Sequence, residues 1–342
     1  MSFDPSAAAP PDSGVFGLPH TPDEAHVVLI PVPFEATTSY GGGTSEGPKA
    51  ILEASRQVDL FDVETGRPYE RGIAMLPESA EWREWNTRAK ERAVPIIEAG
   101  GVGSDRHLLS AANEVNQLCE KMNEAVHRTT KHWLDRGRRV GVVGGDHSVP
   151  FGSIQAHAER YPGLGVLHLD AHADLRHAYE GFTWSHASIM YNVVKRIPGV
   201  QTLVQVAIRD MSEDEHHLIQ ESNGRIRAFF DADLQRNRFD GMAWNRQVDA
   251  IVETLPQHVY LSFDIDGLDP VLCPHTGTPV PGGLSFPEAN ALIAGVVRSG
   301  RTIVGFDLTE VAPSPEGGEW DGNVGARLLY KMIGWMLKSE RK

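Results

Sequence analysis

An α/β fold built on a mainly parallel sheet is what this sequence predicts, and three observations predict it. Short apolar runs bounded by turn residues alternate along the chain with longer amphipathic stretches, the pattern of strand followed by helix. Clusters of Asp and His follow three of those runs immediately, and parallel sheets, covered by helices on both faces, bind ligands just beyond the carboxyl ends of their strands. The length, 342 residues, suits one large α/β domain around a single core.

Residues 1–24 are rich in Pro, Ala, Ser and Asp without periodicity and read as an arm, either loose or packed on a neighbouring subunit. The core, residues 25–342, opens with the run HVVLIPVPF at 26–34, then a turn carrying Gly41, Gly42 and Gly43, then a helix starting near Pro48. A long amphipathic stretch at 113–134 precedes the runs VGVV at 140–143, GVLHL at 165–169 and TLVQVAI at 202–208. A helix at 213–221, the run RIRAFF at 225–230 and a helix at 244–254 follow. The chain closes with HVYLSF at 258–263, a helix at 287–298, TIVGF at 302–306 and a helix at 324–337. Self-similarity at a fixed period, the mark of a solenoid, is lacking.

Composition narrows the function classes. Apolar residues at 41% and charged residues at 23% are those of an ordinary globular protein, and the longest apolar runs fall short of the roughly 20 residues a membrane span needs. The first residues carry no basic cluster followed by an apolar stretch, so a cytoplasmic location is expected. Two cysteines, Cys119 and Cys273, do not make a disulfide framework and are expected to be reduced. A net charge of -14 disfavours nucleic acid and is compatible with a cationic substrate.

The chemistry lies in the polar clusters. GVLHL ends in Asp170-Ala171-His172-Ala173-Asp174, VYLSF ends in Asp264-Ile265-Asp266, and VGVVGGDHS supplies His147. Alternate residues past a strand project to one side, so three strand ends can bring His147, Asp170, His172, Asp174, Asp264 and Asp266 to one place. Carboxylates gathered so closely repel one another and raise each other's pKa values unless cations neutralise them, which points to a pair of divalent ions. Imidazole with carboxylate suits Mn, Ni, Fe or Zn better than Ca or Mg. Asp269, before Pro270, reads as a turn former, and Asp146 as a residue that orients His147 or bonds the backbone. His168, in alternation phase with Asp170, is either a satisfied core histidine or a support for the ligands.

Taken in order, GGDHS, DAHAD and SFDIDGLDP resemble the ureohydrolase family, which includes arginases, agmatinases and guanidine hydrolases. The resemblance runs from about His26 to the end, with all six ligand positions present. It implies a three-layer α/β/α sandwich (the arginase-like fold) assembled as trimers or hexamers, with two divalent metal ions per subunit, Ni or Mn. One ion falls to His147, Asp170, Asp174 and Asp264, the other to Asp170, His172, Asp264 and Asp266. The implied reaction is hydrolysis of a guanidinium carbon by water whose pKa the cations lower, with proton delivery to the leaving nitrogen. His186, in GFTWSHASIM, matches the family's proton-shuttling histidine, and Glu310, in DLTEVAP, the carboxylate that receives the guanidinium.

Stretches such as PFEATTSYGGGTSEGPKAILEASRQVDLFD and EWDGNVGARLLYKM are most similar to the guanidine hydrolase branch, so free guanidine is the expected substrate, cleaved to urea and ammonia. The Asn-bearing segment with which arginases hold an amino acid has no counterpart between Arg176 and His186. Tyr179, Thr183 and Trp184 stand there instead, and aromatic faces suit a small delocalised cation. His275, where the family places a small or amide residue, is a further substrate-contact candidate that leaves methylguanidines, biguanides, agmatine and guanidinobutyrate as alternatives. A non-catalytic partner subunit of a hetero-oligomer is the alternative from another class, disfavoured by the complete ligand set.

Overall fold

The computed structural model describes residues 3–10 and 12–340; positions 1, 2 and 11 of the arm and 341–342 of the domain lie outside the described residues. Eight strands form one sheet: β1 (Val27–Val32), β2 (Ile73–Met75), β3 (Arg139–Gly144), β4 (Leu164–Leu169), β5 (Val200–Ile208), β6 (Ile226–Phe230), β7 (His258–Asp264) and β8 (Thr302–Thr309). Their spatial order is β2-β1-β3-β8-β7-β4-β5-β6, and every neighbouring pair is parallel. The helices are α1 (Gly47–Ser55), α2 (Ala80–Glu98), α3 (Arg106–Asp135), α4 (Phe151–Arg160), α5 (Ile189–Arg196), α6 (Glu213–Glu221), α7 (Asp231–Phe239), α8 (Trp244–Glu253), α9 (Phe286–Arg298) and α10 (Trp320–Ser339).

Strand alternation divides the core into two. Val27 and Leu29 of β1 face a cluster with Ile51, Val248, Leu292 and Val324 from α1, α8, α9 and α10. Val28, Ile30 and Val32 face Trp85, Val115, Ile154 and Val193 from α2, α3, α4 and α5. The result is a three-layer sandwich, as expected, with strands buried on both faces. Caps mark the helix starts: Ser212 with Glu215 and Ser285 with Glu288 form capping boxes on α6 and α9, and Asp105 accepts from the His107 and Leu108 amides on α3.

Every predicted strand and helix is present, but α2, α4, α5, α7 and the short β2 were not predicted. Pro95 interrupts the pattern in α2, and α7 buries only Asp231 and Leu234, so it has almost no apolar stripe to read. The arm is seated on the chain's own core. Val15, Phe16 and Leu18 are buried, the Phe16 ring lies 4.8 Å from that of Tyr330, and its N–H donates to Ser55 Oγ at 2.9 Å. Among the described residues no helix is long and apolar enough to cross a membrane, and Cys119 and Cys273 are both free and buried.

Candidate metal centre

Four adjacent strands, β3, β8, β7 and β4, end at one place. Past β3 the chain turns at Gly145, where a Cβ would come within 2.0 Å of the Phe34 carbonyl oxygen, so only glycine fits. The turn delivers His147, while Asp146 accepts from the Ser148 N–H at 3.0 Å and takes no part in the cluster. Asp264 closes β7, and a single 3-10 turn, Ile265–Gly267, carries Asp266, whose N–H donates to Asp264 Oδ1 at 2.9 Å. Gly267 lies against the Asp170 backbone, where a Cβ would be 2.8 Å from the Asp170 nitrogen. That close approach lets the β4 and β7 ends share a site, and Asp266 Oδ1 accepts from the Ala171 N–H at 2.9 Å. Asp174 has a φ of 54°, a left-handed conformation that is strained for a residue with a Cβ and that recurs at functional sites.

Two groups of donor atoms share Asp170. His147 Nδ1 lies 3.0 Å from Asp170 Oδ2, 3.1 Å from Asp174 Oδ2 and 3.5 Å from Asp264 Oδ2. His172 Nδ1 lies 3.1 Å from Asp266 Oδ2 and 3.5 Å from Asp170 Oδ1. Asp170 thus turns one oxygen to each group. Burial, and then the charge of Asp170, pushes the Asp174 carboxyl up to about 7, and burial with the charges of Asp266 and Asp170 raises Asp264. A dication in each group would remove that repulsion, and these His and Asp donors are ones such ions take.

His168 is also part of the centre. Its Nε2 lies 2.8 Å from Asp170 Oδ2, and Gln205 Nε2 donates to its Nδ1 at 3.0 Å, so it supports a ligand from the fully buried interior. In the sequence its role is open, and Gln205, Ser262 and Asp307 do not stand out. The signal was there: a polar residue inside an apolar strand is buried, and a buried polar group is bonded to something.

Glu310, just past β8, has a φ of 62°. Its Oε1 accepts from the His147 N–H at 2.9 Å, while Oε2 is buried without a partner among the described residues. A cavity of about 190 Å³ opens beside the cluster, lined by His172, Asp174, His186, Tyr179, Arg176 and Asp210, among others. His186 is held by Thr37, whose Oγ1 accepts from its N–H at 3.2 Å, and Tyr179 presents its ring edge-on to the imidazole at 6.3 Å.

Three predicted contact residues are not brought to this cavity. The Thr183 N–H and hydroxyl both donate to Asn116 Oδ1, at 2.8 and 3.1 Å, because the loop is anchored on α3. Trp184 packs edge-on against Phe151 at 4.9 Å and under the Arg196 guanidinium at 4.6 Å, beside a different groove. His275 is tied to α10, its Nδ1 2.8 Å from Asp321 Oδ2. Arg176 and Asp210, which do line the cavity, were not singled out.

Fold and centre together define the class: an α/β protein with a buried His and Asp metal-binding cluster at the carboxyl edge of a parallel sheet. The chain belongs to the Arginase family, which it matches over residues 25–334. It is therefore a binuclear-metal ureohydrolase, a metal-dependent hydrolase of linear amidines. It is 36% identical to an N(1)-aminopropylagmatine ureohydrolase of Thermus thermophilus, over 94% of each chain. Identity to agmatinase of Salmonella paratyphi B is 30%, over 91% of this chain and 87% of that one. Among solved structures, proclavaminate amidino hydrolase from Streptomyces clavuligerus shares the fold with a TM-score of 0.73 at 23% identity, covering 98% of this chain and 100% of that one.

Proposed function

We propose that His147, Asp170, His172, Asp174, Asp264 and Asp266 hold two divalent cations, Ni or Mn, and that the protein hydrolyses guanidine to urea and ammonia. The observation that carries the reading is Glu310 Oε2, a buried acceptor with no partner among the described residues, beside the donor cluster. A guanidinium offers planar N–H donors and a positive charge, and a charge-assisted hydrogen bond to Glu310 would orient its carbon toward the cluster.

Cations bound there would supply a nucleophile at neutral pH by lowering the pKa of water. The residues of the chain do the rest. Glu310 accepts guanidinium N–H groups and holds the substrate in register. His186, lining the cavity, moves a proton to the nitrogen that leaves as the C–N bond breaks. Tyr179 lines the cavity with an aromatic ring, the kind of surface that suits a small delocalised cation.

One observation favours a second reading, a guanidine with a cationic tail. Arg176 sits over the Tyr179 ring at 5.0 Å and 3.7 Å from Glu215, whereas Asp210 lines the same cavity as an exposed carboxylate with no ion pair among the described residues. The relatives' names, agmatinase and N(1)-aminopropylagmatine ureohydrolase, are of that substrate class. The test is urea release by the purified chain, loaded separately with Mn and Ni, from guanidine, methylguanidine, agmatine, guanidinobutyrate and arginine. Guanidine is expected to react fastest. Turnover of agmatine alone would replace the first reading by the second, and no urea from any substrate would overturn both.

A further inference from the structure

Beneath the ligands, a row of buried polar side chains crosses four strands. Gln205 on β5 is in register with His168 on β4, His168 with Ser262 on β7, and Ser262 with Asp307 on β8. All four are completely buried. Polar groups among apolar strand residues destabilise a core unless they are bonded, so their bonds identify what they serve.

The directions of those bonds follow from the groups themselves. Ser262 has one hydroxyl proton, and it donates to Asp307 Oδ1 at 3.0 Å, since an ionised carboxylate only accepts. The Ser262 oxygen also lies 2.9 Å from His147 Nε2, so it accepts a proton held there. With Nε2 protonated, Nδ1 keeps its lone pair, and Nδ1 is the atom that faces Asp170, Asp174 and Asp264. Asp307 Oδ1 is 3.8 Å from Nε2, too far to bond the ring directly, so Ser262 is the necessary link.

We propose that this row positions the metal ligands, and that Asp307, acting through Ser262, fixes His147 in the tautomer and orientation that present Nδ1 to a divalent cation. This rests on the metal-binding reading above. Asparagine at 307 could turn its NH2 toward Ser262, and the hydroxyl would then donate to His147 Nε2 and drive the proton to Nδ1, where it blocks coordination. Alanine at 262 would break the link outright. Partners of this kind are worth about 10–100-fold in metal affinity.

The experiment titrates metal-stripped protein with Co2+, following visible absorption and the Co content of each chain after gel filtration. Wild type is expected to bind two Co2+. In Asp307→Asn and Ser262→Ala one of the two affinities should fall by about 10–100-fold, with a changed absorption spectrum. Ser55→Ala serves as the control, because it removes a buried hydroxyl that bonds the Phe16 N–H and the Leu52 carbonyl, where the arm is seated, and none of the residues of the row. Wild-type affinities and spectra in both test variants would overturn the proposal, and so would an equal loss in the control. The two test positions lie on different strands, so either variant that folds decides the matter. Failure of wild type itself to bind Co2+ would strike the metal reading before any variant is compared.

Discussion

Glu310 gives one carboxylate oxygen to the backbone N–H of His147, 2.9 Å away, and leaves the other buried and unbonded among the described residues. The amide bond ties the carboxylate to the metal cluster, so whatever binds the free oxygen is held at a fixed position relative to it. Glu310→Gln keeps an acceptor for the amide but removes the charge. A hydrogen bond to a charged group contributes about 1.5–3 kcal/mol, so kcat/KM should fall roughly 10–100-fold with metal content unchanged. Steady-state urea assays with metal analysis check this, and an unchanged kcat/KM would exclude Glu310 from guanidinium binding.

Asp266 has the opposite profile. It lies 3.1 Å from His172 Nδ1 and accepts from the Ala171 N–H, so Asp266→Ala removes a donor from one group and a brace from the β4 end. Activity should vanish together with metal, seen as fewer than two ions per chain by elemental analysis. A variant that stays inactive while retaining two ions would place Asp266 outside the ligand set.

His186 should separate turnover from metal content in the other direction. General acid–base groups contribute about 10²–10⁴-fold, so His186→Ala is expected to lower kcat by that factor while keeping both ions. Turnover at the wild-type rate would remove it from the mechanism.

What the sequence made legible follows from periodicity. His147, Asp170, His172, Asp174, Asp264 and Asp266 stood out because each follows an apolar run that had to be a buried strand, and the structure gathers them as the alternation implies. Thr183 and Trp184 were misplaced because the direction of a loop is set by its anchors, here Asn116 and Phe151, which are far away in sequence. Asp210 and Arg176 were missed for the same reason: nothing local marks a side chain as lining a cavity. Seating of the arm depended on a contact between Phe16 and Tyr330, which no window of sequence contains.

At the opposite edge of the sheet, Glu340 accepts from Arg139 and lies 3.1 Å from His26 and 3.2 Å from Arg71. Burial opposes its ionisation, but the hydrogen bonds from His26 and Arg139 outweigh it and hold the carboxyl down at about 2. A carboxylate depressed on folding stabilises the protein above its unfolded pKa, and that stability is lost as pH falls through the folded value. The window therefore runs from about 4.5 down to about 2, and the contribution is on the order of 3 kcal/mol. In Glu340→Gln this part of the acid dependence should disappear, giving urea midpoints that converge with wild type at the acid end. Parallel curves across that window would show that the carboxylate is not linked to folding.

Phe16 tests whether the arm belongs to the subunit that carries it. The ring is buried against Tyr330 of α10, and Ser13 O accepts from the Arg56 guanidinium just past α1, so residues 13–18 close one end of the core within a single chain. Removing a buried phenyl group costs about 3–5 kcal/mol. Phe16→Ala should therefore lower the urea midpoint substantially, by the same amount at low and high protein concentration, while metal content stays that of wild type. Were the arm's partner a neighbouring subunit, the contact would exist only on association, so the loss would vanish at low protein concentration and grow as concentration rose.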